Sequence, residues 1–295
     1  MTEGLVDLHI HSNFSCDGDF SPEELVRMAR EQKFRAMAIA DHDTVEAYPQ
    51  AIQIGKEWGI EIIPSIEVTT IFDSREFHLL LPFVDWESEA IHYIISKMES
   101  SRLEEAQARV QRLKEKGIEI TWEEVEEKCG GIPPLGVKIA QIVLDKPESR
   151  ENPLFARYYE KGGQTFAPYL FYQDYFSEGG VAYVPKKHIR LEEVLKLAPQ
   201  TGGVPVLSHP GAYFQRTTRD DLAYLKSLGL EGLEVYTSYH SVEEAQIYQA
   251  LAADFDLVAT AGSDFHGRIK PRVSFGQIKE GNYEMVEKLK QRKKQ

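Results

Sequence analysis

Short apolar runs alternate with stretches of helical period along most of this 295-residue chain. Strands are expected on a run starting at Val6 and on residues 35–40, 60–66, 75–84, 204–207, 233–236 and 257–261. Helices are expected over 22–32, 44–58, 192–197, 219–228 and 242–253. Parallel neighbours need a long crossover, which a helix supplies, so this alternation points to a parallel sheet or barrel. Some helix starts are chemically marked. Ser21-Pro22-Glu23-Glu24 offers an N-cap, an N1 proline and a capping-box glutamate. Asp43 or Thr44 is the expected cap of the second helix. No short-period repeat overlies the alternation.

One region breaks the pattern. Residues 86–116 read as a charged helix with Ala106, Val110 and Leu113 on one stripe. Thr121-Trp122-Glu123-Glu124 opens another helix, Gly130-Gly131-Ile132-Pro133-Pro134 interrupts the chain, and residues 135–144 are helical again. Residues 145–173 are rich in Pro, Gly and Tyr, and no strand is legible between about 100 and 178. The expected organisation is an α/β domain over 1–98 and 187–295, with a mainly helical subdomain inserted over 99–186.

Composition excludes several classes. The net charge of −13 argues against a broad nucleic-acid-binding surface, though it leaves room for a small basic pocket. Carboxylates that bind cations also raise that formal charge. No apolar run approaches the ~20 residues that cross a bilayer. Met1-Thr2-Glu3-Gly4 has no signal-peptide character. The two cysteines, Cys16 and Cys129, are too few for a disulfide scaffold and suit a reducing cytoplasm, the expected location.

Histidines and acids cluster where the strands end. His9 and His11 stand at i and i+2, so on a strand they share a face. His42 follows the second strand, Glu67 the third, His209 a later one, and Asp264 and His266 the last. In a parallel α/β barrel the C-terminal strand ends converge on one face. Convergence of these side chains would make a metal site, and imidazole with carboxylate suits Zn, Fe or Mn without choosing among them.

The motifs Asp7-Leu8-His9-Ile10-His11-Ser12, Ala40-Asp41-His42-Asp43-Thr44, Ile66-Glu67, Ser208-His209-Pro210 and Gly262-Ser263-Asp264-Phe265-His266-Gly267 resemble, in order, those of the PHP family, named for polymerase and histidinol phosphatase. The resemblance spans about residues 4–275. It is nearest to the branch with a helical insertion, which includes 3′,5′-nucleoside bisphosphate phosphatases and a 5′-to-3′ exoribonuclease. It implies an α/β fold, a distorted (β/α)7 barrel with an inserted helical subdomain, and a trinuclear centre. By motif, His9, His11, Glu67 and Asp264 would hold one ion. Glu67, His78 and His209 would hold a second, with Glu67 bridging. Asp17, preferred to Asp19, would join His42 and His266 around a third. A close metal pair can ionise a shared water for attack on phosphorus, while the third ion steadies the phosphoryl oxygens. Lys186 and Lys270 match the family's lysine positions, and Arg268 is adjacent. His240 follows a strand and is a further candidate for the substrate side. His92 and His188 are expected to be solvated.

The insertion departs from the resemblance. Where the branch has Gly-Arg-Pro-His, this chain has Leu135-Gly136-Val137-Lys138, so the Arg is replaced by Gly136 and the His by Lys138. Lys138 could still meet a phosphate. After His78 the family's glycine is missing, and Leu79-Leu80-Leu81-Pro82 follows instead. The expected activity is metal-dependent hydrolysis of a small phosphomonoester, with a 3′,5′-bisphosphate nucleotide as one candidate substrate. An exonuclease acting on short RNA or DNA ends is the alternative. A non-catalytic metal-binding module and a histidinol phosphatase stand behind these. Oligomeric state is not legible.

Overall fold

The computed structural model describes residues 4–160 and 166–293. Among the described residues eight strands form two sheets. The first contains β1 (Leu5–Ile10), β2 (Phe34–Ile39) and β3 (Glu61–Ile62), all parallel and in that order. The second contains β4 (Glu67–Phe72), β5 (Arg75–Leu80), β6 (Val206–Leu207), β7 (Gly232–Thr237) and β8 (Val258–Gly262), again in chain order. β6, β7 and β8 run parallel, whereas β5 is antiparallel to both β4 and β6. Isolated bridges, Ile10 with Phe265 and His42 with Glu67, link the sheets near the strand ends that carry the candidate ligands. The architecture is α/β, with two sheets and no continuous closed ladder among the described residues.

The antiparallel element departs from an all-parallel expectation. The sequence reading carries one strand over 60–66 and leaves 67–74 as a link. Pro64 and Ser65 divide that stretch, and the Pro64 carbonyl instead accepts from the N–H groups of Phe83 and Val84. Glu67 then starts a new strand that turns back through Asp73 and Ser74, both at positive φ (46° and 62°). Two consecutive positive φ values are what a tight two-residue hairpin needs to match strand twist. The β-branched Thr69-Thr70-Ile71 segment supplies the strand propensity.

Around these sheets lies a core of Ile10, Met37, Ile39, Ile66, Val68, Leu79, Leu207 and Leu233, extended by helix residues such as Leu25, Ala51, Val194 and Leu222. The helix Pro22–Glu31 begins with the anticipated capping box, in which Ser21 Oγ accepts from Glu24 N–H while Glu24 Oε2 accepts from Ser21 N–H. The next helix is a correction: it starts at Tyr48, with no side-chain cap. Asp43 is turned elsewhere, at φ 54°, and its Oδ1 accepts from Thr69 N–H.

The chain divides into two compact units. The first comprises residues 1–98, 188–267 and 272–295, and the second residues 99–187 and 268–271. The second has no strand among its described residues. Its helices, including Trp122–Cys129, Gly136–Leu144 and Ala167–Phe176, enclose Val110, Leu113, Ile139, Phe155 and Phe171. The helix Ala167–Phe176 lies in the Pro- and Tyr-rich stretch where none was expected. Pro168 is tolerated there because it sits in the first turn, where its missing N–H costs nothing.

Candidate metal centre

Glu67 lies at the centre of the cluster. It opens β4 and is 1% exposed. Its Oε2 is 3.3 Å from His9 Nε2, 3.3 Å from His11 Nε2 and 3.2 Å from His42 Nδ1. Its Oε1 is 2.9 Å from His78 Nδ1 and 3.0 Å from His209 Nε2. The hairpin explains one of these contacts. His78 pairs with Thr69, two residues from Glu67 on β4, so Glu67 and His78 are diagonal neighbours on one face. Asp264, which follows β8 at φ 55°, places Oδ1 3.1 Å from His11 Nε2 and 3.5 Å from His9 Nε2. On the far side of His11, Asp17 Oδ2 is 2.9 Å from His266 Nε2 and 3.7 Å from His42 Nε2.

Among the described residues three sets of side chains bring potential ligand atoms within 4.8 Å of one another. They are His9, His11, Glu67 and Asp264; His42, Glu67 and His78; and His11, Asp17, His42 and His266. The first contains the same four residues as the first inferred set. The second contains Glu67 and His78 but has His42 where the motif reading has His209, which meets Glu67 directly. The third adds His11 to the motif set. His11, His42 and Glu67 each serve two sets.

The donor inventory fits cations better than hydrogen bonds alone. His266 Nδ1 is 3.0 Å from the Asp264 carbonyl, so that nitrogen carries the proton in a neutral ring. His266 Nε2 is then bare, yet it faces a carboxylate oxygen at 2.9 Å. His9 repeats the pattern, with Nδ1 3.0 Å from Glu234 Oε1 and Nε2 only 3.1 Å from His11 Nε2. Such contacts need a proton or a cation between them. Nδ1 of His11, His42 and His209, Oδ1 of Asp17 and Oε2 of Glu67 are buried without a hydrogen-bond partner, a costly condition that coordination would relieve.

Without ions, electrostatics divides the cluster. Burial opposes a charge on His9, but Glu67, Glu234 and Asp264 outweigh it and hold that imidazole well above its ordinary range. His11 reaches about 9 because Asp264 and Glu67 likewise outweigh burial. Burial depresses His42, and the neighbouring carboxylates do not restore it. Glu67 and Asp17 resist burial and stay well below the usual carboxylate range beside their imidazoles.

Residues 7–140 match the PHP domain family. The chain is 27% identical over 266 residues to the 5′-3′ exoribonuclease Rnm of Salmonella typhimurium, covering 89% of this chain and 85% of that protein. It is 26% identical over 263 residues to the 3′,5′-nucleoside bisphosphate phosphatase of Chromobacterium violaceum, covering 88% and 87%. A crystal structure from Bifidobacterium adolescentis, assigned as a metal-dependent phosphoesterase, superposes with a TM-score of 0.83 at 26% identity, covering 100% of this chain and 99% of that one.

The chain carries a match to the PHP domain over residues 7–140.

One residue behind this centre, Glu234, was not singled out by the sequence reading. Glu234, fully buried on β7, holds His9 Nδ1 with one oxygen and accepts the His209 N–H at 2.8 Å with the other. Its signal was a lone acid inside the apolar run Leu233-Glu234-Val235. Gly262 makes room for it, since a Cβ there would lie 2.2 Å from Glu234 Oε1 and 2.3 Å from His9 Cβ. Asp41 accepts from Ser12 N–H and Oγ, both at 2.6 Å, and from Ser15 Oγ at 3.1 Å, fixing the loop that bears Asp17. Burial raises the Asp41 carboxyl to about 6.

The candidates for the substrate side are placed differently. His240 spends both ring nitrogens on the scaffold: Nδ1 lies 2.8 Å from the Val235 carbonyl and Nε2 accepts from Gly211 N–H at 3.0 Å. Lys138, Lys186, Arg268 and Lys270 all belong to the second unit. Burial lowers the Lys186 ammonium to about 7, and its Nζ lies 5.7 Å from the Tyr172 ring centroid. Gly136 stands in a tight place. A Cβ at this position would come within 2.5 Å of Arg109 Nη1 and 2.6 Å of Tyr172 Cε2. His92 is exposed, but His188, the first residue of the re-entering segment, is 6% exposed and buried rather than solvated.

Proposed function

We propose that this chain is a phosphoesterase that uses divalent metal ions to release phosphate from a phosphomonoester, with a 3′,5′-bisphosphate nucleotide as the favoured substrate. The observation that carries this reading is the single buried carboxylate of Glu67 facing His9, His11, His42, His78 and His209. We assign His9, His11, Glu67 and Asp264 to one ion, Glu67, His78 and His209 to a second, and Asp17, His42 and His266 to a third, with Mn, Fe or Zn as the candidate metals. We further propose a distorted (β/α)7 barrel with an inserted helical subdomain over 99–186, which the two strand bridges support.

When bound, the ions would activate water near neutral pH and offset charge on the phosphoryl oxygens. The protein's own part is orientation. Glu234 fixes the His9 tautomer so that Nε2 faces inward. Asp41 stiffens the Asp17 loop, and Asp43 ties the segment after β2 to β4. Lys138, Lys186, Arg268 and Lys270 are the proposed cationic partners of substrate phosphate on the chemistry of their side chains. The expected setting is the cytoplasm, and the partner a small phosphorylated molecule.

A second reading, exonuclease action on short 5′-phosphorylated ends, is supported by the named exoribonuclease relative. The net charge of −13 weighs against long nucleic-acid tracks. The deciding experiment is phosphate release by Mn²⁺-loaded protein from 3′,5′-bisphosphonucleotides, nucleoside monophosphates and short 5′-phosphorylated oligonucleotides. Selective release from the first class is the expected result. Mononucleotide products from the oligonucleotides, without selectivity for bisphosphates, would favour the exonuclease. No turnover of any class by metal-loaded protein would refute both readings.

A further inference from the structure

Aromatic rings flank one side of the imidazole cluster. The Phe214 ring lies 5.3 Å from the His78 ring and 5.5 Å from the His209 ring. Tyr239 lies 4.8 Å from His209, and Tyr213 stands perpendicular to Phe214 at 5.3 Å. Tyr213 is 50% exposed and Phe214 is half-buried. Neither belongs to the hydrophobic clusters of the described residues, so their apolar faces are not spent on the core.

Their loop is held firmly. The fully buried Gln215 accepts from His78 N–H at 3.2 Å and donates to the Ser208 carbonyl at 2.9 Å. Arg75 donates to the carbonyls of Gln215 and Arg216 at 3.4 and 3.2 Å. Gly211 N–H is anchored on His240. The two rings are therefore tied to the same strand and turn that carry His78 and His209. A fixed aromatic face beside a charged centre suits a ligand with one planar apolar part and one anionic part.

We infer that Tyr213 and Phe214, backed by Tyr239, form a wall that stacks the base of a nucleoside phosphate whose phosphate is held at the cluster. This specificity role rests on the phosphoesterase reading and deepens it by naming the side chains that meet the base of the leaving nucleoside. Aromatic stacking tolerates any base, because each base has a π-face, so the wall selects nucleotides over bare sugar phosphates without choosing among nucleotides.

The test uses metal-loaded full-length protein and calorimetric titration with non-hydrolysable phosphonate analogues of adenosine 5′-monophosphate and ribose 5-phosphate. These ligands share sugar and anion and differ in the base. Wild-type protein should bind the adenosine analogue about tenfold more tightly, and Tyr213→Ala with Phe214→Ala should reduce that preference to about twofold or less. Phe214→Tyr should retain it. Tyr213→Ala alone, at a half-exposed position, guards against loss of fold and should remove part of the preference. Equal affinities in wild type, no binding of either analogue, or an unchanged preference in the double variant would overturn the inference. Turnover is read separately on the natural esters. Base-dependent binding without phosphate release would sink the phosphoesterase reading and leave the wall, whereas equal binding with phosphate release would sink only the wall.

Discussion

Glu67 and Glu234 divide the work at the level of single side chains. Glu67 presents both oxygens to imidazoles, and Glu234 grips two candidate ligands from behind. Glu67→Gln keeps the shape but replaces one acceptor oxygen by a donor amide, which cannot serve the same nitrogens and a cation at once. Metal retained after dialysis, measured by plasma mass spectrometry, should fall, and phosphate release should drop by about 100-fold or more. Glu234→Gln should act through the tautomer. An amide N–H facing His9 Nδ1 would force the ring proton onto Nε2, the inward nitrogen. Metal affinity should fall by about 10–100-fold with an unchanged circular dichroism spectrum. The residue types of the cluster were legible because a histidine or an acid after an apolar run is conspicuous. Glu234 was not, because one acid within an apolar strand carries no mark of what it will face. The aromatic wall was equally hidden, since Tyr213 and Tyr239 come together only through the fold.

At the scale of elements, the β4–β5 hairpin does what a crossover could not. It lays His78 diagonally beside Glu67 within a dozen residues of chain. Its far edge is clamped by Arg75, whose Nη1 and Nη2 reach Asp221 at 3.0 and 2.7 Å. Asp221 is also the N3 residue of the capping box opened by Thr218. Burial opposes its charge, but Arg75 and the Thr218 N–H outweigh burial and hold the carboxyl below the usual range. A depressed carboxyl contributes stability above its unfolded pKa of about 3.9, and that stability is lost as pH falls through the lower folded value. Asp221→Asn should therefore cost about 1–3 kcal/mol near neutral pH, and the gap from wild type should shrink below about pH 4. Urea unfolding of metal-free protein at both pH values would reveal it, and a gap constant with pH would contradict it. The sequence showed the box at Ser21 because proline and glutamate stand beside it. It misled at Asp43, whose acid looks like a cap but bonds across to β4, a partner that local pattern cannot reveal. Gly262 makes the related steric case, because Gly262→Ala would drive a methyl into Glu234 and His9 and should weaken metal retention as well as stability.

On the scale of the whole molecule, buried charge ties folding to metal. Every candidate ligand falls in the first unit, and Asp17, Glu67 and Asp264 are each at most 4% exposed. Buried carboxylates and bare imidazole nitrogens oppose folding unless a counter-charge joins them. Three divalent ions would also neutralise about half of the net −13. Ions that bind the folded chain and not the unfolded one stabilise it by mass action, about 2.7 kcal/mol for one site at a hundredfold excess over Kd. For a chain of this size that is worth about 4 °C per site. Chelator-dialysed protein should accordingly melt at least about 4 °C below the same protein with excess Mn²⁺, and the shift should grow with the logarithm of the ion concentration. Hydrogen exchange would locate the effect. Protection gained on adding Mn²⁺ should concentrate around residues 7–17, 41–43, 67–78, 208–211 and 262–266 and be small over 99–160. Uniform protection across both units would instead mean that the ions act on the chain's overall charge and not on the cluster. An unchanged melting point would mean that the buried acids of the cluster hold protons where we place ions.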